Sequence, residues 1–333
     1  MSLGQKTCLF KEQYVASEKY NPLSHINDYV YDISKLRQDA DDYFNEITRT
    51  LPIVNGINIH QEVVLLMGCE IRLRIYIPQN LNLENNTSAI VFHPGGGLLL
   101  NMQNLHDRAL ANLAKTAKTI VISIQPPLAS DEHKLLQISD IAYQATYYCY
   151  ENATQLKLGH IKKLIVAGYS MGAILASLIC NRAVKTNDFP IAAQLLISGV
   201  FNLSSDAETI NAPFCGQSAL DFMSDTDVGA FVMKQCLPEH ITDATLKQPE
   251  YSPYYDKLSD LPPTILIAGG CDSLMPSTVA MHKKMEGAGV STEMIINDVG
   301  DIHNTFLLWG LIGDGQDPAI TAGNAVKKYS HAE

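Results

Sequence analysis

The chain has 333 residues, of which 46% are hydrophobic and 18% charged, which suits one large α/β domain or two smaller globular ones. Its formal net charge of −11 argues against a nucleic-acid partner, because such a partner is bound by clusters of basic residues. We therefore expect its partner to be a small molecule.

The first predicted elements are a helix and a hairpin. Apolar residues recur at helical spacing over residues 28–49, which predicts an amphipathic helix that ends before Pro52. The stretch from Glu62 to Pro78 then alternates apolar and polar residues in its second half. It also contains a turn sequence at residues 67–69, so we predict an antiparallel β-hairpin.

From Ala89 onward, short apolar runs alternate with helical segments. The apolar runs are AIVFHP, TIVISI, KLIVAG, AAQLLIS, TILIAGG and TEMIIND. The helical segments lie near residues 103–117, 135–154, 171–185 and 275–288. Fully apolar strands separated by helices indicate a parallel sheet that is covered on both faces. Residues 201–260 interrupt this alternation and are rich in turn residues, which is typical of a lid or a substrate-binding insertion.

A serine between two glycines joins one of these strands to the next helix. In the sequence GYSMG, Ser170 follows the strand KLIVAG and precedes a helix-forming run. Gly-x-Ser-x-Gly alone is weak evidence, because two glycines also make tight turns without chemistry. In this context the glycines leave room for a sharp turn that exposes the serine hydroxyl at the start of a helix. We therefore predict that Ser170 is a nucleophile.

A second glycine-rich turn, HPGGG, follows the strand AIVF. Three glycines weaken any helix or strand, so a flexible turn is the simpler interpretation. The alternative is that the N–H groups of Gly95 and Gly96 approach a developing oxyanion, together with the N–H of Met171. We predict such an oxyanion hole, and we expect the side chain of His93 to hydrogen-bond the backbone and support the turn.

A serine nucleophile needs a base, and the base needs a carboxylate that orients it. Both groups should follow later strands, because ligands bind at the carboxyl ends of the strands in open parallel sheets. Asp272 follows TILIAGG and His303 follows TEMIIND. Asp298 and Asp301 are rival carboxylates, but they are too close in sequence to His303 to approach its far nitrogen easily. We therefore predict a triad of Ser170, His303 and Asp272.

The remaining polar residues predict no further chemistry. The seven cysteines are scattered, and no set of Cys, His, Asp or Glu has metal-ligand spacing, so we expect no metal and no cofactor. We expect surface or structural roles for His106 and the other histidines. The absence of a signal sequence and of a membrane span, together with the thiols, predicts a cytoplasmic protein. The oligomeric state stays open, with a homodimer as one alternative.

These motifs resemble the hormone-sensitive-lipase-like branch of the α/β-hydrolase fold, which includes many microbial carboxylesterases. The resemblance extends from about Glu62 to Ala325. It rests on HPGGG, ISDIAYQATYYCYENA, GYSMG, SPYYDKLSDLPPTILIAGGCDSL and GDIHNTF. Pro94 replaces the first glycine of the branch's His-Gly-Gly-Gly motif, and Tyr169 and Met171 replace residues of its Gly-Asp-Ser-Ala-Gly elbow.

The resemblance implies an α/β-hydrolase catalytic domain, here residues 56–333, and a cap over the active site. The cap would consist of residues 1–55 and 201–260. The resemblance also implies the roles already predicted for Ser170, His303 and Asp272 as a triad, and for the three oxyanion donors. We hypothesise that apolar side chains of the glycine turn and the cap line an acyl pocket, although packing in the core explains each of them as well. These side chains are Leu98, Leu99, Phe201, Phe214 and Phe222.

The sequence therefore predicts a serine hydrolase, most simply a carboxylesterase that acts on small or medium acyl esters. An amidase, a lactonase or a deacetylase would use the same triad. A small-molecule receptor on the same fold is the alternative from another class, and loss of the base would favour it. His303 is present in this chain.

Overall fold

The structure, a computed structural model, describes residues 32–85, 87–205, 226–313 and 315–330. Within these residues, eight strands form a single sheet. The strands are β1 (Ile57–Leu66), β2 (Cys69–Pro78), β3 (Ser88–His93), β4 (Ile120–Gln125), β5 (Lys163–Tyr169), β6 (Ile191–Ile197), β7 (Thr264–Ala268) and β8 (Thr292–Ile296). Their order across the sheet is β1-β2-β4-β3-β5-β6-β7-β8.

Helices separate most of these strands along the chain. They are α1 (Ile33–Thr50), α2 (Asp107–Ala117), α3 (Leu135–Glu151), α4 (Met171–Thr186), α5 (Thr226–Cys236), α6 (Asp243–Leu246), α7 (Met275–Gly287), α8 (Thr305–Leu308) and α9 (Pro318–Ser330). No helix of the described residues is both long and apolar enough to cross a membrane. The cytoplasmic location and the homodimer stay predictions.

The sheet is parallel from β4 to β8 and antiparallel at its first two strands. Every residue of β3 and β7 is buried, as expected for strands with helices on both faces. The predicted α/β architecture is therefore confirmed. The predicted hairpin is also present, and its turn residues Met67 and Gly68 both have positive φ angles, which match the twist of paired strands.

The predicted first helix is present from Ile33, while residues 28–31 lie outside the described part of the chain. The buried residues Leu36, Ala40 and Phe44 recur every four positions, so one face of α1 packs on the core. At the N-terminus, Asp32 accepts a hydrogen bond from the backbone N–H of Lys35 at 2.8 Å and caps the helix.

The parallel strands bring distant parts of the chain to one edge of the sheet. β3 leads into the HPGGG turn, β5 leads into Ser170, and β7 and β8 lead into the segments of Asp272 and His303. Because parallel strands share one direction, all four connections leave at the carboxyl edge. Residues 171–181 of α4 are all buried, so the helix after Ser170 lies within the core and its start is fixed by packing.

Candidate active site

Ser170 lies at a sharp turn between β5 and α4. Its φ is 56° and its ψ is −127°, which is unfavourable for a residue with a side chain. The two glycines make the turn feasible. A Cβ atom on Gly172 would lie 2.0 Å from the carbonyl oxygen of His93, and one on Gly168 would lie 2.1 Å from that of Gly172. The serine is therefore held in a strained conformation by close backbone packing.

The structure brings together the three residues of the predicted triad. His303 Nε2 lies 3.1 Å from Ser170 Oγ, and His303 Nδ1 lies 3.1 Å from Asp272 Oδ1. An ionised carboxylate only accepts hydrogen bonds, so Nδ1 carries the proton of the neutral ring and Nε2 accepts from the serine hydroxyl. This arrangement can take a proton from Ser170.

Asp272 is buried, and its carboxylate is nevertheless favoured in the ionised form. Burial alone would raise its pKa, but the charge and hydrogen bond of His303, together with hydrogen bonds from the Ser198 hydroxyl and the Leu274 N–H, outweigh burial and hold the pKa below its usual range. The backbone N–H of Leu274 also donates to Oδ1 at 2.8 Å. The rival carboxylates have other contacts: Asp298 accepts from the N–H of Gly300, and Asp301 accepts from Asn297.

Residues 94–100 form a turn after β3, which we call the glycine loop. A Cβ atom on Gly95 would lie 2.6 Å from Cδ1 of Tyr169, so only glycine fits at this contact with the turn around Ser170. The Gly95 N–H donates to His106 Nε2 at 3.3 Å. Among the described residues, the N–H groups of Gly96 and Met171 have no protein acceptor. Two of the three predicted oxyanion donors thus remain available, and the third is engaged.

His93 does not support the glycine loop as we expected. Its Nε2 lies 3.2 Å from Thr146 Oγ1, and that hydroxyl donates to the carbonyl oxygen of Ala142, so Nε2–H is the donor. Its Nδ1 has no partner among the described residues. Burial lowers the pKa of His93 to about 3. The predicted backbone hydrogen bond is therefore wrong: His93 joins β3 to α3.

His106, which we expected to be ordinary, contacts the glycine loop instead. Its Nδ1 lies 2.7 Å from the carbonyl oxygen of Met102 and Nε2 accepts from Gly95, so the neutral ring makes both hydrogen bonds. Burial lowers its pKa to about 4, with an opposing contribution from Met102. The sequence carries no local signal for this role, because the contact depends on how residues 101–106 fold back.

Three further contacts hold the glycine loop. From α1, Arg37 donates to the carbonyl oxygens of Leu99 at 3.0 Å and Ala129 at 2.6 Å. The N–H of Ala129 donates to the carbonyl oxygen of Leu98 at 2.7 Å. From the end of α5, the Cys236 thiol lies 3.1 Å from the carbonyl oxygen of Gly97. The loop is thus fixed by groups that are far away in the sequence.

The residues hypothesised to line an acyl pocket have mixed positions. Leu98, Leu99 and Phe201 are all buried. Phe214 and Phe222 lie outside the described residues. A separate apolar cavity lies between α1, the segment before α2, and α8. Its lining residues are Tyr43, Phe44, Ile47, Met102, Leu105, Asn304, Leu307 and Leu308.

No obvious metal site accompanies these groups. In the part of the chain that the structure describes, no cluster of three or more His, Cys, Asp or Glu side chains could hold a metal ion. The described residues of the site offer a serine hydroxyl, an imidazole, a carboxylate and backbone N–H groups.

Comparisons with known proteins agree with this architecture. A family model described as the alpha/beta hydrolase fold matches residues 89–307. Carboxylesterase NlhH of Mycobacterium tuberculosis is 27% identical over 268 residues, which cover 79% of this chain and 80% of the relative. An AB hydrolase superfamily protein of Schizosaccharomyces pombe is 26% identical over 259 residues, covering 76% of this chain and 73% of the relative.

A solved structure extends the likeness over nearly the whole chain. An α/β hydrolase from the metagenome of Lake Arreo superposes with a TM-score of 0.77 at 21% identity, covering 96% of this chain and 95% of the other. At that identity the superposition shows the fold alone. The family match spans well over half of the chain and confirms the resemblance drawn from the motifs. The chain therefore belongs to the α/β-hydrolase fold family.

Proposed function

We propose that this protein is a serine carboxylesterase that cleaves small to medium acyl esters through an acyl-enzyme. The observation that carries the proposal is the 3.1 Å contact between Ser170 Oγ and His303 Nε2 at a strained serine. A serine hydroxyl is inert towards esters until a base removes its proton, and this base contacts a buried carboxylate. The relative named carboxylesterase supports an ester as the substrate.

In the proposed reaction, Ser170 Oγ attacks the ester carbonyl carbon while His303 Nε2 accepts the hydroxyl proton. Asp272 stabilises the resulting imidazolium, because its lowered pKa keeps it negatively charged. His303 then gives the proton to the leaving alcohol as the tetrahedral intermediate collapses to the acyl-enzyme. Water attacks the acyl-enzyme with the same base, which releases the acid and restores Ser170.

The oxyanion of the tetrahedral intermediate needs fixed hydrogen-bond donors. The N–H groups of Gly96 and Met171 support this role, because neither has a protein acceptor among the described residues. Such a donor lowers the barrier by about 3 to 4 kcal/mol, since it is oriented before the charge develops. The N–H of Gly95 is engaged by His106. We therefore propose Gly96 and Met171 as the main donors and a positioning role for Gly95.

We also propose that residues 56–333 form the catalytic domain, with residues 1–55 and 201–260 forming a cap. The contacts of Arg37 and Cys236 with the glycine loop support this division, because they join α1 and α5 to the edge that carries Ser170. The apolar cavity beneath α1 is our proposed acyl site. It lies between Met102, which packs beside Gly96, and Asn304, which follows His303.

The decisive test is hydrolysis of p-nitrophenyl esters from acetate to laurate. Ser170→Ala and His303→Ala should each lower kcat by about 10⁴-fold or more, because the nucleophile and its base act as one unit. Ser177→Ala is the matched control. Ser177 is a buried serine in α4, the helix that follows Ser170, and its hydroxyl has no partner among the described residues. Removal of the Ser177 hydroxyl should leave kcat within about twofold of the wild-type value.

A maximum at one acyl length, lost in both triad variants, would support the esterase and indicate the size of the acyl site. A folded wild-type protein that hydrolyses none of the esters would overturn the proposal. Equal losses in the Ser177 control and the Ser170 variant would also contradict it, because the loss would then not depend on the nucleophile.

A further inference from the structure

Tyr169, the residue directly before Ser170, makes two contacts with His303. The two rings are stacked, with centroids 5.0 Å apart and an angle of 20° between their planes. The Tyr169 hydroxyl donates to the backbone carbonyl oxygen of His303 at 2.8 Å. Only 2% of Tyr169 is exposed, so both contacts are shielded from water. One side chain thus holds the imidazole plane and the backbone that carries it.

The Tyr169 ring is itself held firmly by its neighbours. Phe306 stacks on it with a centroid distance of 5.2 Å, and the edge of His106 approaches it at 5.7 Å. The ring also fills the space beside Gly95, where a Cβ atom would lie 2.6 Å from its Cδ1. Tyr169 therefore lies between the glycine loop and His303, in contact with both.

We propose that Tyr169 is a positioning residue that sets the orientation of His303 relative to Ser170. This inference rests on the proposed function. The hydrogen bond from Nδ1 to Asp272 fixes one atom of the imidazole but leaves its plane free to tilt, whereas a stacked ring restricts that tilt. Because Tyr169 and Ser170 are adjacent in the chain, one backbone segment positions the nucleophile and orients its base.

The stacked ring has an electrostatic consequence as well. An aromatic face attracts a cation, so it favours the imidazolium that forms when His303 accepts a proton. Among the described residues, the carboxylates near His303 include Asp272, which contacts it, and Asp301, two residues earlier in the chain. Neither is altered when Tyr169 is replaced, which makes the contribution of the ring separable.

The elbow of the resembled branch carries Asp at this position, and an Asp side chain cannot stack on an imidazole. Tyrosine at position 169 departs from that motif, and its ring stacks on His303 in this chain. Phe306 and His106 complete an aromatic group around it.

The test compares Tyr169→Phe with Tyr169→Leu in p-nitrophenyl ester hydrolysis. The Phe variant loses only the hydroxyl, so kcat should fall by about fivefold, with KM within about twofold and the acid limb of kcat/KM unchanged. The Leu variant keeps an apolar side chain but loses the stack, so kcat should fall by about 100-fold. Its acid limb should also move to lower pH, because the ring no longer favours imidazolium.

Tyr143→Phe is the matched control, since the Tyr143 side chain is also buried and its hydroxyl donates to the Asp188 carboxylate and contacts the Thr186 hydroxyl, at the far end of α4. It should retain wild-type kcat. Wild-type kcat and an unmoved acid limb in both Tyr169 variants would refute the positioning role while leaving the esterase intact. An inactive wild type would instead overturn the proposed function, and with it this inference. If the Leu variant does not fold, the drop in kcat of the Phe variant decides the question.

Discussion

Two turns at the same edge of the sheet are fixed in different ways. The turn around Ser170 is set by backbone contacts between β5, the start of α4 and the end of β3. The glycine loop is held by side chains from α1 and α5, by His106 and by the backbone N–H of Ala129. The first turn is therefore fixed by close contacts between backbones that only glycine permits, whereas the second depends on hydrogen bonds from groups elsewhere in the chain. Changes to the two turns should differ accordingly.

The largest effect is expected where the backbone itself has no room. Gly172→Ala places a Cβ atom 2.0 Å from the carbonyl oxygen of His93, so β3 and α4 must separate. We expect the free energy of unfolding to fall by at least about 3 kcal/mol and ester hydrolysis to fall by about 10³-fold. Chemical denaturation and p-nitrophenyl butyrate hydrolysis measure the two effects.

Gly287→Ala is the control for that change. Gly287 ends α7, and a Cβ atom there would meet nothing within 4 Å. This variant should be as stable as the wild type or more stable by up to about 1 kcal/mol, because alanine favours a helix. If Gly172→Ala also retained wild-type stability and activity, the turn around Ser170 would not depend on close backbone packing.

A smaller effect is expected when the glycine loop loses one of its remote supports. His106→Phe keeps an aromatic ring but removes the acceptor for the Gly95 N–H, which leaves a buried donor unpaired. The free energy of unfolding at pH 7 should fall by about 1 to 3 kcal/mol. We expect kcat to fall by about tenfold, because the loop that carries Gly96 is less well fixed. His282→Phe, in half-buried surroundings on α7, should retain kcat.

The pH dependence of stability offers a second measurement on this variant. Burial lowers the pKa of His106 to about 4, below the usual 6.5, so between these values the unfolded state binds more protons than the folded state. The wild type should therefore lose about 3 kcal/mol of its stability between pH 7 and pH 4 through this residue. His106→Phe lacks this titrating group, so the difference in free energy of unfolding between wild type and variant should become smaller as the pH falls. A stability difference that stays constant between pH 7 and pH 4 would contradict a buried His106 that is neutral in the folded state.

The difference between the two turns also explains which parts of the site the sequence predicts: local patterns are predicted, and contacts between distant residues are not. The strands follow from continuous apolar runs, and the proximity of Asp272 and His303 to Ser170 follows from their positions after such runs in the chain. Nothing local marks Arg37 as a partner of Leu99, 62 residues away, or Cys236 as a partner of Gly97, 139 residues away. These contacts depend on how α1 and α5 pack over the carboxyl edge of the sheet.

The exchange of roles between two histidines has a simple geometric cause. His93 is the last residue of β3, and side chains of a strand alternate between the faces of the sheet. Its side chain is thereby directed to Thr146 in α3. His106 precedes α2 and reaches the glycine loop only because residues 101–106 fold back towards it. The sequence shows which histidine is adjacent to the loop, but adjacency in the chain does not decide the contact.

The smallest effect is expected at the outermost support of the glycine loop. Arg37→Met keeps much of the apolar stem but removes the two hydrogen bonds to the carbonyl oxygens of Leu99 and Ala129. The guanidinium is half-buried and its pKa is lowered by burial, so part of the gain from these bonds is offset by lost hydration. We expect the free energy of unfolding to fall by about 1 kcal/mol.

The expected functional change is in acyl-chain selectivity more than in rate. Arg37 anchors the helix that also supplies Phe44 to the apolar cavity, so loosening α1 should widen the range of acyl lengths that are accepted. Lys35→Met is the control, because Lys35 forms an exposed ion pair with Asp39 on the same helix, and loss of an exposed pair should leave stability and the length profile nearly unchanged. Kinetics from acetate to laurate distinguish the two variants. An unchanged length profile in Arg37→Met would separate α1 from the acyl site and restrict the remote supports of the glycine loop to His106 and α5.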